Sequence, residues 1–85
     1  MEEKEIGEVT HYFSKIGVAA IKINSESLDI GDSIHIKGHT SDFQQGIDSM
    51  QVEHDKVQSA KKGDIIGIKV KDHVREGDKV YKIIG

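Results

Sequence analysis

The sequence predicts an all-β fold, a small six-stranded closed antiparallel β-barrel built as a single domain over residues 1–85. Three observations carry that expectation. Six short segments alternate apolar and polar residues with the period of two that a half-buried strand requires. Turn-forming residues separate these segments at intervals of roughly ten residues, the spacing of small all-β domains. No stretch shows the apolar repeat of a helix. The same pattern suits a small sandwich, and the barrel is favoured because closing the sheet would remove the open edges that invite unwanted pairing.

The first strand is Glu5 to Phe13, with Val9, His11 and Phe13 on one parity and Glu8, Thr10 and Tyr12 on the other. Residues 1–4 are expected to form a disordered tail. Ser14 and Lys15 begin a short turn into Ile16 to Asn24, whose Ala19, Ile21 and Ile23 face a core; so short a link makes an antiparallel hairpin. Asn24 to Asp29 reads as a loop anchored by Leu28. Ser33 to Lys37 then places Ile34 and Ile36 inward and His35 and Lys37 outward.

Phe43 to His54 is the longest run with strand chemistry, and its parity changes partway: Phe43 and Ile47 share one face, Met50 and Val52 the other. Such a switch requires an extra residue of the kind a β-bulge inserts, and Gly46 and Ser49 sit where the bend is cheap. Asp55 to Gly63 is a connection anchored by Val57 and Ala60, with room for one helical turn at most. Ile66, Ile68 and Val70 form the inward face of the next strand. In the last strand, Lys79 to Ile84, Val80 competes with Tyr81 and Ile83 for the core.

A Gly-Asp pair precedes three of these strands, at Gly31-Asp32, Gly63-Asp64 and Gly77-Asp78. Each glycine supplies a positive φ for a turn, and each aspartate can bond the neighbouring backbone. None opens a helix, and no phosphate-cradling GxxxxGK[ST] occurs, so these glycines are not read as a nucleotide site.

Composition narrows the function. A chain of 85 residues builds one small core, and the absence of cysteine excludes disulfides, thiolate metal sites and cysteine nucleophiles. The acidic start MEEKE and a longest apolar run of only Val18 to Ile21 exclude a signal peptide and a membrane-spanning segment, so a cytoplasmic protein is expected. Charge is uneven: residues 1–55 carry −7 and residues 56–85 carry +4. The basic third offers a local phosphate-attracting patch.

Five histidines raise the question of a metal, but without thiolates or a clustered carboxylate motif no metal site is expected. His35 and His39 have four-residue spacing, yet a strand ends between them. Glu53 with Asp55 lies on a polar rim, and no serine sits in a GxSxG turn, so no catalytic residue and no cofactor is expected.

The phrases IGDSIHIKG, IDSMQVEH and AKKGDIIGIKVKD, with the REGDKVYKI ending, occur in an order that resembles the second domain of translational GTPases of the elongation factor Tu type. The opening EVTHYFSKIGVAAIKI looks like that family's first hairpin. THYFSKIGVA, IKGHTSDFQQ and VREGDKVYK look most like the barrel at the C-terminus of collagenase-like peptidase-family proteins, which include RNA-modifying members. The resemblance implies a six-stranded barrel. It also implies a role at the aminoacyl end of transfer RNA for the positions that fall on Gln51 and His54, where bacterial elongation factors carry an acid and an arginine.

The leading expectation is therefore a non-catalytic barrel contacting tRNA or rRNA through Lys37, His39, Gln51 and His54, helped by Lys69, Lys71 and Arg75. With Phe13 and Phe43 expected in the core, few aromatics remain for base stacking, and affinity would be mostly electrostatic. The alternative is a protein-interaction module docking onto a separately encoded GTPase or collagenase-like enzyme.

Overall fold

The computed structural model describes residues 2–84. It is all-β, with ten strands: β1 (Glu2–Phe13), β2 (Val18–Ile23), β3 (Ser27–Asp29), β4 (Ser33–Lys37), β5 (Asp42–Gly46), β6 (Met50–Val52), β7 (Asp55–Val57), β8 (Ser59–Lys61), β9 (Ile65–Lys69) and β10 (Lys79–Ile84). Eight of them form one antiparallel sheet in the order β5-β4-β10-β1-β2-β9-β6-β7, and β3 pairs with β8 as a separate ribbon. Among the described residues, no helix is long and apolar enough to cross a membrane.

The strand alternation read from the sequence places most of the core. Ala19, Ile21 and Ile23 of β2, Ile34 and Ile36 of β4 and Ile66 and Ile68 of β9 are all buried. Val80 takes the core position on β10, while Tyr81 and Ile83 are only half-buried. Leu28 lies directly opposite Ala60 in the β3–β8 ribbon, and both are buried. Loop and connection were expected there; two apolar anchors instead pair their flanking backbones. β7 likewise stands where a connection was expected, pairing with β6 across a two-residue turn.

The expected closed barrel is not formed: the hydrogen-bonded ladder ends open at β5 on one side and β7 on the other. The cause lies in the run from Phe43 to His54. Its parity switch is present, with Ile47 and Met50 both buried, but it is a full break between β5 and β6 rather than a single bulge. β5 pairs with β4 and β6 with β9, so the two halves serve opposite ends of the sheet. At the gap the Gln45 side chain reaches across, donating from Nε2 to the Lys69 carbonyl at 2.9 Å and accepting from the Lys71 N–H at 2.9 Å.

Two further differences come from β1. Residues 2–4, expected as a tail, extend the strand and pair with Ile84, Ile83 and Lys82 of β10. Register shifts between Glu5 and Gly7 and between Val9 and His11 change the parity along the strand. After the second shift Tyr12 packs against the core and Phe13 turns out to solvent. Phe43, by contrast, does pack against the core as expected.

The three Gly-Asp turns share one geometry. In each, the aspartate N–H donates to the carbonyl three residues earlier, at 3.0 Å for Asp32, 2.9 Å for Asp64 and 3.1 Å for Asp78. The carboxylate accepts from the N–H of that same residue, Asp29, Lys61 or Arg75. The glycines have φ of 98°, 97° and 92°, a region that residues with a Cβ rarely enter. Each turn also grips one buried residue of another segment by both backbone groups: Gly31 and Asp32 hold Ile47, Gly63 and Asp64 hold Ile23, and Gly77 and Asp78 hold Val9.

Candidate functional site

On the outward face of the sheet, Ala20 of β2 lies opposite Gly67 of β9, and Gly67 lies opposite Gln51 of β6. Two adjacent positions with almost no side chain leave a depression between taller neighbours. The result is a groove of about 450 Å³ walled by Phe13, Ile16, Val18 and Ile65 on its apolar sides and by Gln51, Glu53 and His54 on its polar side. Phe13, Ile16 and Ile65 are 46%, 63% and 52% exposed, an unusual concentration of large apolar residues for so small a surface. The Phe13 ring is steadied by an edge contact with His11, at 4.5 Å between ring centroids.

Glu53 and His54 form the two-residue turn between Val52 and Asp55, with φ of 52° and 71°. Two left-handed residues make the primed hairpin turn that suits strand twist, a place where Asn and Gly are preferred. Side chains larger than these carry a backbone cost of order 1 kcal/mol each. That cost is borne where the pair forms the groove wall.

All seven residues expected from the sequence to contact RNA are exposed, but they do not form one cluster. Gln51 and His54 border the groove. Lys69 ends β9 on the same outward face as Gly67, with Lys71 two residues beyond. Lys37 ends β4 opposite Lys79. His39 lies in the turn after Lys37, which touches the loop carrying Arg75 through a bond from Ser41 Oγ to the His73 carbonyl at 3.2 Å. The ladder sets Lys37 level with Ile65, through Lys79, Glu8 and Lys22, and sets Lys69 level with Val18 and Phe13, while Lys71 and Arg75 lie beyond the paired strands. His54 borders the groove beside Ile65, about 20 Å from Lys71 at a strand's ~3.4 Å per residue.

The apolar walls were not foreseen. Phe13 was expected in the core because the register shift after Val9 leaves no composition signal, and Ile16 reads simply as the start of a strand. Ile65 is the exception, since it stands on the opposite parity from Ile66 and Ile68.

Away from the groove, His35 joins three strands. Its Nδ1 meets both Glu3 carboxylate oxygens at 2.9 Å, and its Nε2 meets Asp42 Oδ1. The bond to Asp42, then that to Glu3, raises the imidazole pKa above 6.5 although burial opposes the charge; Asp42 is correspondingly held below 3.8. Among the described residues, no group of three His, Asp or Glu side chains is placed to hold a metal.

With the geometry in view, comparison with known proteins defines the class. The fold is that of the C-terminal domain of a Geobacillus thermoleovorans U32 peptidase, which superimposes with a TM-score of 0.88 at 21% identity over 95% of this chain and 93% of that one. A selenomethionine variant of the same domain gives 0.85. By sequence the chain is 44% identical over 78 residues to an uncharacterized protease of Methanocaldococcus jannaschii and 41% identical over 78 residues to a collagenase of Porphyromonas gingivalis. Each match takes in 91% of this chain but only 19% and 22% of those proteins, so the chain spans about a fifth of their length. No protein-family model matches it.

Proposed function

We propose that this domain is a non-catalytic module of the U32 type that contacts tRNA or rRNA, taking an unpaired base into the groove and phosphates along the lysine-bearing end of β9. One observation carries the reading. Gln51 and His54, the two positions that the elongation factor Tu resemblance assigns to the aminoacyl end of transfer RNA, both border the groove, and Phe13 is exposed on its apolar side. An aromatic face of this kind stacks a base with a gain of about 1–3 kcal/mol. The Gln51 amide offers both donors and an acceptor to a base edge or ribose. Lys69, two residues along β9 from Gly67, is placed for the adjoining phosphate with Lys71 beyond it, and Lys37, His39 and Arg75 add a second basic patch where their two loops touch. The relatives' larger size fits an accessory role in which the chemistry resides elsewhere.

Titration of the isotope-labelled domain with bulk tRNA at low and physiological salt tests this. Saturable shifts at Gln51, His54, Gly67 and Phe13, lost in Gln51→Ala/His54→Ala, are expected. Spectra unchanged at both salts would overturn the reading. They would favour a second one, supported by the same exposed Phe13, Ile16 and Ile65, in which the groove docks onto a collagenase-like enzyme or a GTPase. Recovery of such a protein through the groove, lost in Phe13→Ser, would then be expected.

A further inference from the structure

β6 covers β9 at only two pairs, Gln51 with Gly67 and Val52 with Ile66. A regular ladder would next set Met50 opposite Ile68 and then Ser49 opposite Lys69. The chain leaves instead, because Ile47 is gripped by Gly31 and Asp32 on the far side. Val70 donates its N–H to the Gly17 carbonyl at 2.9 Å, toward β2, so the Lys69 carbonyl and Lys71 N–H point the other way, into the gap. Both are met by the single carboxamide of Gln45. A carboxamide is the side-chain counterpart of a peptide group, with the same donor and acceptor. The cleft around it measures about 590 Å³ and is lined by Gln45, Ile47, Asp48 and Ser49 on one side and by Ile68 to Lys71 on the other.

We propose that this open edge of β9 accepts an extended peptide strand bearing carboxylates at alternate positions, and that Gln45 occupies the strand's place while the site is free. Backbone pairing with Lys69 and Lys71 supplies affinity in the manner of β-strand addition, and side chains at every second position supply selectivity. Lys69 and Lys71 are two residues apart, so their side chains leave the same face about 7 Å from one another. Residues i and i+2 of an added strand match that spacing, and opposite charges across a ladder favour pairing. RNA phosphates can meet the two ammonium groups, but the RNA backbone has no N–H to give the Lys69 carbonyl, so the backbone edge itself suits a peptide. The inference does not rest on the groove reading.

The probe is the blocked pentapeptide Glu-Val-Glu-Val-Glu, titrated into the labelled domain beside a version N-methylated at the glutamates, whose N–H groups would face β9. Expected are saturable shifts and exchange protection of the Lys71 amide, cross-strand proximity to Lys69, and binding at least fivefold tighter in Gln45→Ala, where no side chain must be displaced. Equal binding of the N-methylated peptide, or shifts confined to the lysine side chains, would overturn the proposal by showing charge attraction alone. Should Gln45→Ala not fold, the comparison of the two peptides on the unmodified domain still decides.

Discussion

Ile47 donates its N–H to the Asp32 carbonyl at 2.8 Å and, through its own carbonyl, accepts from the Gly31 N–H at 2.9 Å, so a single turn holds both backbone groups of one buried residue. Ile23 with Asp64 and Val9 with Asp78 repeat the arrangement. Because each turn depends on a glycine at φ above 90°, alanine at Gly31, Gly63 or Gly77 should each destabilise the domain by more than about 1 kcal/mol in denaturant unfolding. Alanine at Gly46, which has open space around its Cα, should be markedly milder.

Among the three aspartates, Asp78 is the buried one. Removing its carboxylate leaves the Arg75 N–H without its side-chain acceptor, at a cost of about 1–3 kcal/mol where the site is shielded from water. Asp78→Ala should therefore lower the melting temperature more than Asp32→Ala or Asp64→Ala, whose sites are wetter.

Ile65 and Ile66 are neighbours with opposite duties, 52% and 0% exposed. Ile66→Ala should cost about 2–5 kcal/mol, the range for an emptied core site. Ile65→Ala should cost well under about 1 kcal/mol and, under the proposed function, should weaken retention of tRNA. Unfolding curves and a binding titration on the same two variants separate the roles.

Stability should also depend on pH through His35. Its folded pKa is raised, so the stabilisation is complete below the unfolded value near 6.5 and disappears as pH rises through the folded value. Asp42, held low by the same contact, loses its share only as pH falls below 3.8 toward its folded value. The melting temperature of the native domain relative to His35→Gln should thus be greatest between these limits and shrink at alkaline pH. A difference that grew from pH 6.5 to pH 9 would contradict the network.

The Glu53-His54 turn offers a way to separate stability from binding. Replacing the pair by Asn-Gly should raise stability by about 1 kcal/mol, since both residues then suit the left-handed backbone. The same change removes His54 from the groove wall and, under the proposed function, should weaken RNA binding.

The parts legible in the sequence were those governed by local chemistry. The Gly-Asp turns declared themselves because φ and the aspartate bond are properties of adjacent residues, and the parity switch at Ile47 and Met50 was visible because burial alternates. What escaped notice depends on distant partners. The outward turn of Phe13 follows from a register shift set by β2, the β3–β8 ribbon from Leu28 meeting Ala60, and the open ladder from Ile47 being held by a turn on β4's side. Gln51 and His54 could be named from the elongation factor Tu resemblance, whereas the groove they border depends on Ala20 and Gly67 meeting across two strands.

The pairing of Glu2 with Ile84 brings the two ends of the described segment side by side, within the ~5 Å of neighbouring strands. A polypeptide entering and leaving through one point can be spliced into a surface loop of another protein without stretching that loop, or its old ends can be joined and new ones cut in a turn such as residues 14–17. In the first setting the pairing of β1 with β10 closes the insertion point, so the rest of the sheet is held to its host at one attachment.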